Sequence, residues 1–201
     1  MIESNTLGYR SNLTVMEFHL KMDRDIGAVT GEIFGAFTER LEFLRFTEQH
    51  ITPSYLGWLS SPESSQFLST NSKTQTKSSV LAYLEQKRQN RAGDLVALVD
   101  RKSMELRGTL GLSLAAYEGQ RALEVGILIG YPGAGLGQEV VAKVVKILSG
   151  RSVVRFLVAG IDKENIRSRR LFESSGFSLS QAKGQRDDLW ILDLQEGSKP
   201  S

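Results

Sequence analysis

No cysteine occurs anywhere in this chain, which removes disulfides, thiolate nucleophiles and cysteine-ligated zinc together. Histidine is almost missing as well. The two present, His19 and His50, cannot furnish a histidine-rich metal site and poorly supply a Ser-His-Asp triad, so no metal is expected. An excess of one charge is lacking too: 25 Lys and Arg against 23 Asp and Glu leave a formal +2, which gives nucleic-acid binding no support. No apolar run approaches the ~20 residues of a membrane span, so no membrane association is expected. The opening residues, with Glu3 and Asn5 and no long apolar stretch, do not read as a secretory signal. A cytoplasmic protein is the default expectation.

What the chain does have is ordinary globular composition, 40% hydrophobic and 24% charged, over 201 residues, enough for one domain with a substantial core. Its most informative stretch lies between residues 123 and 148. Leu123-Glu124-Val125-Gly126-Ile127-Leu128-Ile129 is a β-type apolar run, and Gly130-Tyr131-Pro132-Gly133-Ala134-Gly135-Leu136-Gly137 a glycine-dense turn. Beyond Gln138 an amphipathic helix places Val140, Val141, Val144, Val145 and Leu148 on one face, with Glu139 and Lys143 paired at i, i+4 on the other. Glycines 133, 135 and 137 leave main-chain N–H groups uncovered at a helix N-terminus, which suits a phosphate-bearing ligand; they equally serve a tight strand-to-helix turn with no ligand. A P-loop is excluded because Leu136 and Gly137 follow Gly135 where Lys and Ser/Thr belong. The dinucleotide fingerprint fails at Gln138.

Residues 1–37 are hard to read. Residues 13–20 alternate enough for a strand, whereas Gly27, Gly31 and Gly35 argue against a helix at 29–37. This segment is either an added structural arm or an upstream extension with Met16 or Met22 as the start. From Thr38 the punctuation is clear. Residues 39–46 alternate as a strand. Thr52-Pro53 opens a helix with a capping hydroxyl and a first-turn proline, stopping at Ser60-Ser61-Pro62. A second helix spans about 76–91. Residues 95–99 and 109–115 form a hairpin, 123–129 a strand, 153–159 a buried strand, and 165–174 a helix ended by Gly176. Residues 177–179 and 189–194 close the order as a hairpin, and 196–201 form a frayed tail. The expectation is an α/β (α+β) fold whose sheet is mostly antiparallel.

This order and three stretches resemble the GNAT superfamily of acyl-CoA N-acyltransferases, over residues 38–195. Thr38-Glu39-Arg40-Leu41-Glu42-Phe43-Leu44-Arg45 is similar to the family's opening strand. The block 124–148 is similar to its pyrophosphate-binding segment. Asn165-Ile166-Arg167-Ser168-Arg169-Arg170-Leu171-Phe172-Glu173-Ser174-Ser175-Gly176-Phe177 matches the Asn-x-x-Ser-x-x-Leu-aromatic-Glu-x-x-Gly-Phe pattern of RimJ/RimL-type members. Residues 55–63 resemble a subgroup that includes amino-sugar acetyltransferases of surface-glycan pathways. Two positions depart from the pattern: Pro132 stands where Gln or Arg is usual, and Phe172 where many members carry a proton-donating tyrosine.

The resemblance implies a single domain with a twisted, mostly antiparallel sheet flanked by helices, binding acetyl-CoA as co-substrate and acylating a primary amine. It implies pantetheine contacts to main chain at Ile127, Leu128 and Ile129. A pyrophosphate site follows at Gly133, Ala134, Gly135, Leu136, Gly137 and Gln138, with further contacts from Asn165, Ser168 and Arg170. For Arg169 and Arg170 a solvated helix face is an equal reading. Glu124 is the candidate base for the acceptor amine; a surface or hairpin salt bridge is its alternative. Tyr117 and Tyr131 are candidate replacements for the missing acid, or simply packing groups. The acceptor expected is a small-molecule amine, such as a nucleotide-linked amino sugar. The runner-up is a protein N-terminus or lysine, and a different class is a non-catalytic acyl-CoA-binding module. A homodimer is compatible with the resemblance.

Overall fold

The computed structural model describes residues 26–67, 75–89, 91–180 and 187–195; the expected strand at 13–20 and the tail at 196–201 lie outside them. The first half runs α1 (Gly27–Ile33), β1 (Leu41–Arg45), α2 (Pro53–Ser60), the short α3 (Pro62–Ser65) and α4 (Lys77–Gln89). Then come β2 (Gly93–Asp100), β3 (Leu106–Tyr117), β4 (Gln120–Ile129), α5 (Leu136–Leu148), β5 (Phe156–Asp162), α6 (Ile166–Ser174), β6 (Ser178–Leu179) and β7 (Asp187–Asp193).

The strands form one sheet in the order β1-β2-β3-β4-β5-β7-β6. Among the described residues every pairing is antiparallel except β4 with β5. Side-chain alternation sends Val96, Leu98, Leu110, Leu112, Leu123 and Val125 to one face, where α1, α5 and α6 pack. Leu95, Ala97 and Val99 go to the other, under Tyr55 of α2 and Val80 and Leu84 of α4. The valine face of α5, as its spacing predicts, lies in the first of these layers with Val140, Val141, Val144 and Leu148 buried. At the start of β2, Asp94 fastens α4 to the sheet. It is almost fully buried, accepts from Arg45 Nη2 (3.0 Å) and lies 2.8 Å from Arg88 Nη2.

Several sequence expectations hold at residue level. Thr52 accepts the Tyr55 N–H (3.2 Å) and Pro53 opens α2. Asn165 caps α6 by accepting the Ser168 N–H (3.1 Å).

Others need correction. Residues 27–33 are helical despite their glycines. Gly27 and Gly31 lie on the exposed side, while Ile26, Val29 and Ile33 enter the core. Each buried aliphatic side chain contributes about 1.5–3 kcal/mol, more than the ~1 kcal/mol a helical glycine costs. The fifth strand starts at Phe156 and not at Val153, because its pairing with β7 runs from Phe156 to Asp162. The expected Glu139–Lys143 pair is replaced: Glu139 joins Arg40, and Lys143 lies over the Phe37 ring (5.6 Å).

Where β4 ends, the Trp58 indole of α2 lies against Gly130, so close that an added Cβ would overlap ring atoms Cε2 and Cζ2. Tyr131 meets the same indole edge-on at 5.6 Å. Gly130→Ala should therefore destabilise the protein by about 1–3 kcal/mol through overpacking. Gly31→Ala meets open space on an exposed helix and should stabilise by about 0.5–1 kcal/mol. Chemical denaturation of the two variants beside the wild type reads both signs.

Candidate active site

Strands β4 and β5 pair over only three residues, Ala122, Leu123 and Glu124 against Phe156, Leu157 and Val158, and then diverge. Two printed bonds fix which way the β4 main chain faces. Gly130 N–H donates to Arg107 O on the β3 side (2.9 Å), and Arg155 N–H donates to Arg121 O from the β5 side (2.9 Å). Main-chain groups alternate along an antiparallel strand, so Val125, Ile127 and Ile129 turn theirs toward the gap. Leu128 does not: its main chain serves β3, and its side chain packs with the α2/α4 cluster. The gap is lined by Val125, Gly126 and Ile127 on one side and Gly160, Ile161 and Asp162 on the other. Asn165, Ser168, Leu171 and Phe172 of α6 and Phe67 complete the lining.

At the open end of this gap the chain turns into α5. Gly133 (φ +106) and Gly135 (φ +73) adopt the left-handed conformations that side chains resist, and Gly135 is the N-cap. The first helical acceptor, Gly135 O, takes the Glu139 N–H (3.2 Å), so helix geometry leaves the N–H groups of Leu136, Gly137 and Gln138 for a ligand. These donors and the positive helix end suit a diphosphate. Gly137 has a second function: a Cβ there would meet Leu171 Cδ2 at 3.1 Å, so its bareness lets α6 approach α5. Gln138 Nε2 donates to Ser174 Oγ (3.1 Å) and ties the same two helices.

The turn is latched by Arg40, the residue just before β1. Arg40 donates from Nη1 to Ala134 O (2.7 Å) and from Nε to Glu139 Oε2 (2.6 Å), and its own N–H donates to Glu139 Oε1 (3.2 Å). Partial burial pushes the Glu139 carboxyl up, but hydrogen bonds from Thr38 and Arg40 and the guanidinium charge outweigh it and hold the group below its ordinary value.

Glu124 sits at the fork itself, directly across from Ser113 of β3 and beside Val158 of β5, with one carboxylate oxygen fully buried. On the same side Lys87 of α4 reaches inward, its Nζ donating to Ser113 Oγ (2.9 Å) and Leu112 O (3.3 Å). Burial pulls the lysine's pKa down, opposed by the carboxylates of Glu124 and Asp94. Tyr55 of α2 keeps its phenol proton at neutral pH: burial pushes it up to about 12 against a hydrogen bond with Thr109.

Residues 40–178, well over half of the chain, match the family model described as the acetyltransferase (GNAT) domain. The chain belongs to the GNAT acetyltransferase family. Solved structures agree on the fold. The ribosomal-protein-S5-alanine acetyltransferase of Vibrio fischeri superposes with a TM-score of 0.63 at 15% identity, covering 82% of this chain and 98% of that one. RimJ of Mycobacterium smegmatis, in complex with CoA-disulfide, gives 0.63 at 13% identity over 80% and 88%. The yncA protein of Salmonella typhimurium, solved with acetyl-CoA, gives 0.54 at 20% identity over 80% and 98%. No curated protein matches the chain in sequence.

In this acetyltransferase Ile127, Asn165 and Ser168 line the gap, Ile129 turns its main chain toward it, and the 133–138 turn stands at its open end. Glu124 lies at the fork and is not among the residues that line the gap. Arg170 is exposed on α6, while neighbouring Arg169 donates to Lys163 O (3.2 Å). Asn165 spends its Oδ1 on the α6 cap, leaving its amide N–H₂ as the donor a ligand can use. Phe172 lines the cleft at the position where many GNAT members carry tyrosine. Tyr117 packs on Phe156 (5.0 Å) at the far end of β3, and Tyr131 is exposed in the turn. His50 caps the turn before α2, its Nδ1 accepting the Thr47 N–H (2.9 Å). Sequence reasoning missed Arg40, Lys87, Ser113 and Phe67. For Ser113 the hairpin register carried a signal, since the two-residue turn at Glu118-Gly119 sets it opposite Glu124; for the others no local pattern exists.

Arg40→Ala should weaken acetyl-CoA binding about tenfold, the worth of one charge-assisted hydrogen bond to the turn, as read by titration calorimetry. The pH sign follows from Glu139. A carboxyl depressed in the folded state stabilises above its ordinary value of 4.5 and loses that contribution as the pH falls through the folded value. The difference in unfolding midpoint between wild type and Glu139→Gln should therefore shrink on acidification.

Proposed function

We propose that this acetyl-CoA-dependent N-acetyltransferase acylates a primary amine of a small molecule by direct attack, with Glu124 receiving the amine proton. The observation that carries the proposal is the position of Glu124 at the fork of β4 and β5, where the gap between the strands begins. The turn at Gly133, Ala134, Gly135, Leu136, Gly137 and Gln138 takes the pyrophosphate. The pantetheine arm follows the gap-facing main chain of Ile127 and Ile129, with Asn165 and Ser168 beside it. The acceptor nitrogen forms its bond to the thioester carbon while the carbonyl electron pair moves to oxygen, stabilised by a β4 N–H. Collapse breaks the C–S bond and the CoA thiolate departs. The nitrogen's proton passes to Glu124, directly or through water. Phe172 cannot protonate the leaving sulfur, but a thiol of ordinary acidity, about 8.5 for a free cysteine, leaves as its anion.

Phe67, walling the gap, favours a compact acceptor, and the resemblance of residues 55–63 to amino-sugar acetyltransferases points to a nucleotide-linked amino sugar within that class. A peptide N-terminus is the second reading. The fold likeness to a ribosomal-protein acetyltransferase and to RimJ supports it.

Thiol release from acetyl-CoA across simple amines, nucleotide-linked amino sugars and N-terminal peptides separates the two readings. Turnover on peptides alone would overturn the small-molecule proposal. Glu124→Gln should lower kcat about 10²–10⁴-fold, the usual contribution of a positioned base, with acetyl-CoA affinity unchanged in calorimetry. Wild-type turnover in that variant would remove Glu124 from the mechanism.

A further inference from the structure

We propose that Lys87 is a positioning residue of acetyl transfer, its ammonium acting with the Ser113 hydroxyl to hold the Glu124 carboxylate ionised and in place. The proposal rests on the reading of Glu124 as the proton acceptor.

Lys87 is socketed. Its side chain crosses Gly93, where an added Cβ would meet Lys87 Cδ at 3.3 Å, Nζ at 3.4 Å and Leu112 O at 2.8 Å. The Nζ then donates to Leu112 O and Ser113 Oγ and lies 5.5 Å from the Tyr83 ring centroid. Bringing an ammonium under a helix is unfavourable unless a carboxylate answers it. Two face it, Asp94 of β2 and Glu124 of β4. Asp94 already accepts from Arg45 and Arg88, so two guanidinium groups serve that one carboxylate. Glu124, paired across the strands with the Ser113 that Lys87 holds, is the second carboxylate the Lys87 charge reaches.

The groups around Glu124 make that charge consequential. Ser113 stands directly opposite it on β3, Val158 beside it on β5 brings no charge, and Lys87 approaches from α4. A carboxyl oxygen withdrawn from water drifts toward the protonated form, which cannot accept a proton. A neighbouring ammonium opposes that drift. Ser113 stands between the two, accepting from Lys87 Nζ and lying opposite the glutamate in the strand register.

The test is kcat/KM against pH, with acetyl-CoA affinity and unfolding midpoint measured alongside, for Lys87→Met, Lys87→Arg, Ser113→Ala and Glu124→Gln. In Lys87→Met the acid limb should move up by about one pH unit or more, the shift an opposite charge produces, and activity at neutral pH should fall about tenfold. Acetyl-CoA affinity should stay within about twofold, because no Lys87 contact reaches the cofactor turn. Lys87→Arg should return most of the limb, and Ser113→Ala should move it the same way by less. A folded Lys87→Met with the wild-type limb and turnover overturns the proposal. If that variant does not fold, an unmoved limb in Ser113→Ala overturns it instead. Loss of activity in Glu124→Gln beside an unmoved Lys87→Met limb rejects Lys87 alone. Full activity in Glu124→Gln rejects the base, and the positioning residue with it.

Discussion

The early parting of β4 from β5 is the constraint on which the rest of the molecule depends. A strand inside a sheet has partners for its main chain on both edges, and leaving one edge bare is expensive unless something else pairs with it. Here β4 has β3 on one side throughout but β5 for only three residues. Everything nearby keeps the two strands apart. Pairing with β7 holds β5 along its whole length. Helix α6 fills the far wall, packed through Leu171 against the bare Gly137 of α5. Helix α5 begins where β4 ends, so a positive helix terminus faces the mouth of the same gap.

The two faces of the sheet divide the chemistry. The α5/α6 face and the open end carry the donors suited to phosphate, and the latch from Arg40 directs the Ala134 carbonyl to a cation, away from an incoming anion. The α2/α4 face carries the two charged groups to which the proposed proton transfer is assigned, Glu124 and Lys87.

Much of this was legible in the sequence where the determining contacts are local. The glycine turn with its following valine stripe, the Thr52-Pro53 helix start and the Asn165 cap each act within a few residues, and each forms as its pattern predicts. The failures are all long-range. Residues 27–33 form a helix because the core pays in burial for glycines that local propensity counts against. Glu139 leaves its i+4 lysine for an arginine 99 positions away. A lysine within a polar-looking stretch of α4 reads as a solvated side chain until Gly93 and Ser113 are brought beneath it.

The contact of Trp58 with Gly130 carries an evolutionary consequence. One indole occupies the space that any side chain at position 130 would need. A homologue that keeps tryptophan at the first position is confined to glycine at the second, so the pair should vary together across the family. The order of change is constrained as well. A lineage that first trades the indole for something smaller can then acquire a side chain at 130, whereas the opposite order passes through an ancestor with two groups in one volume.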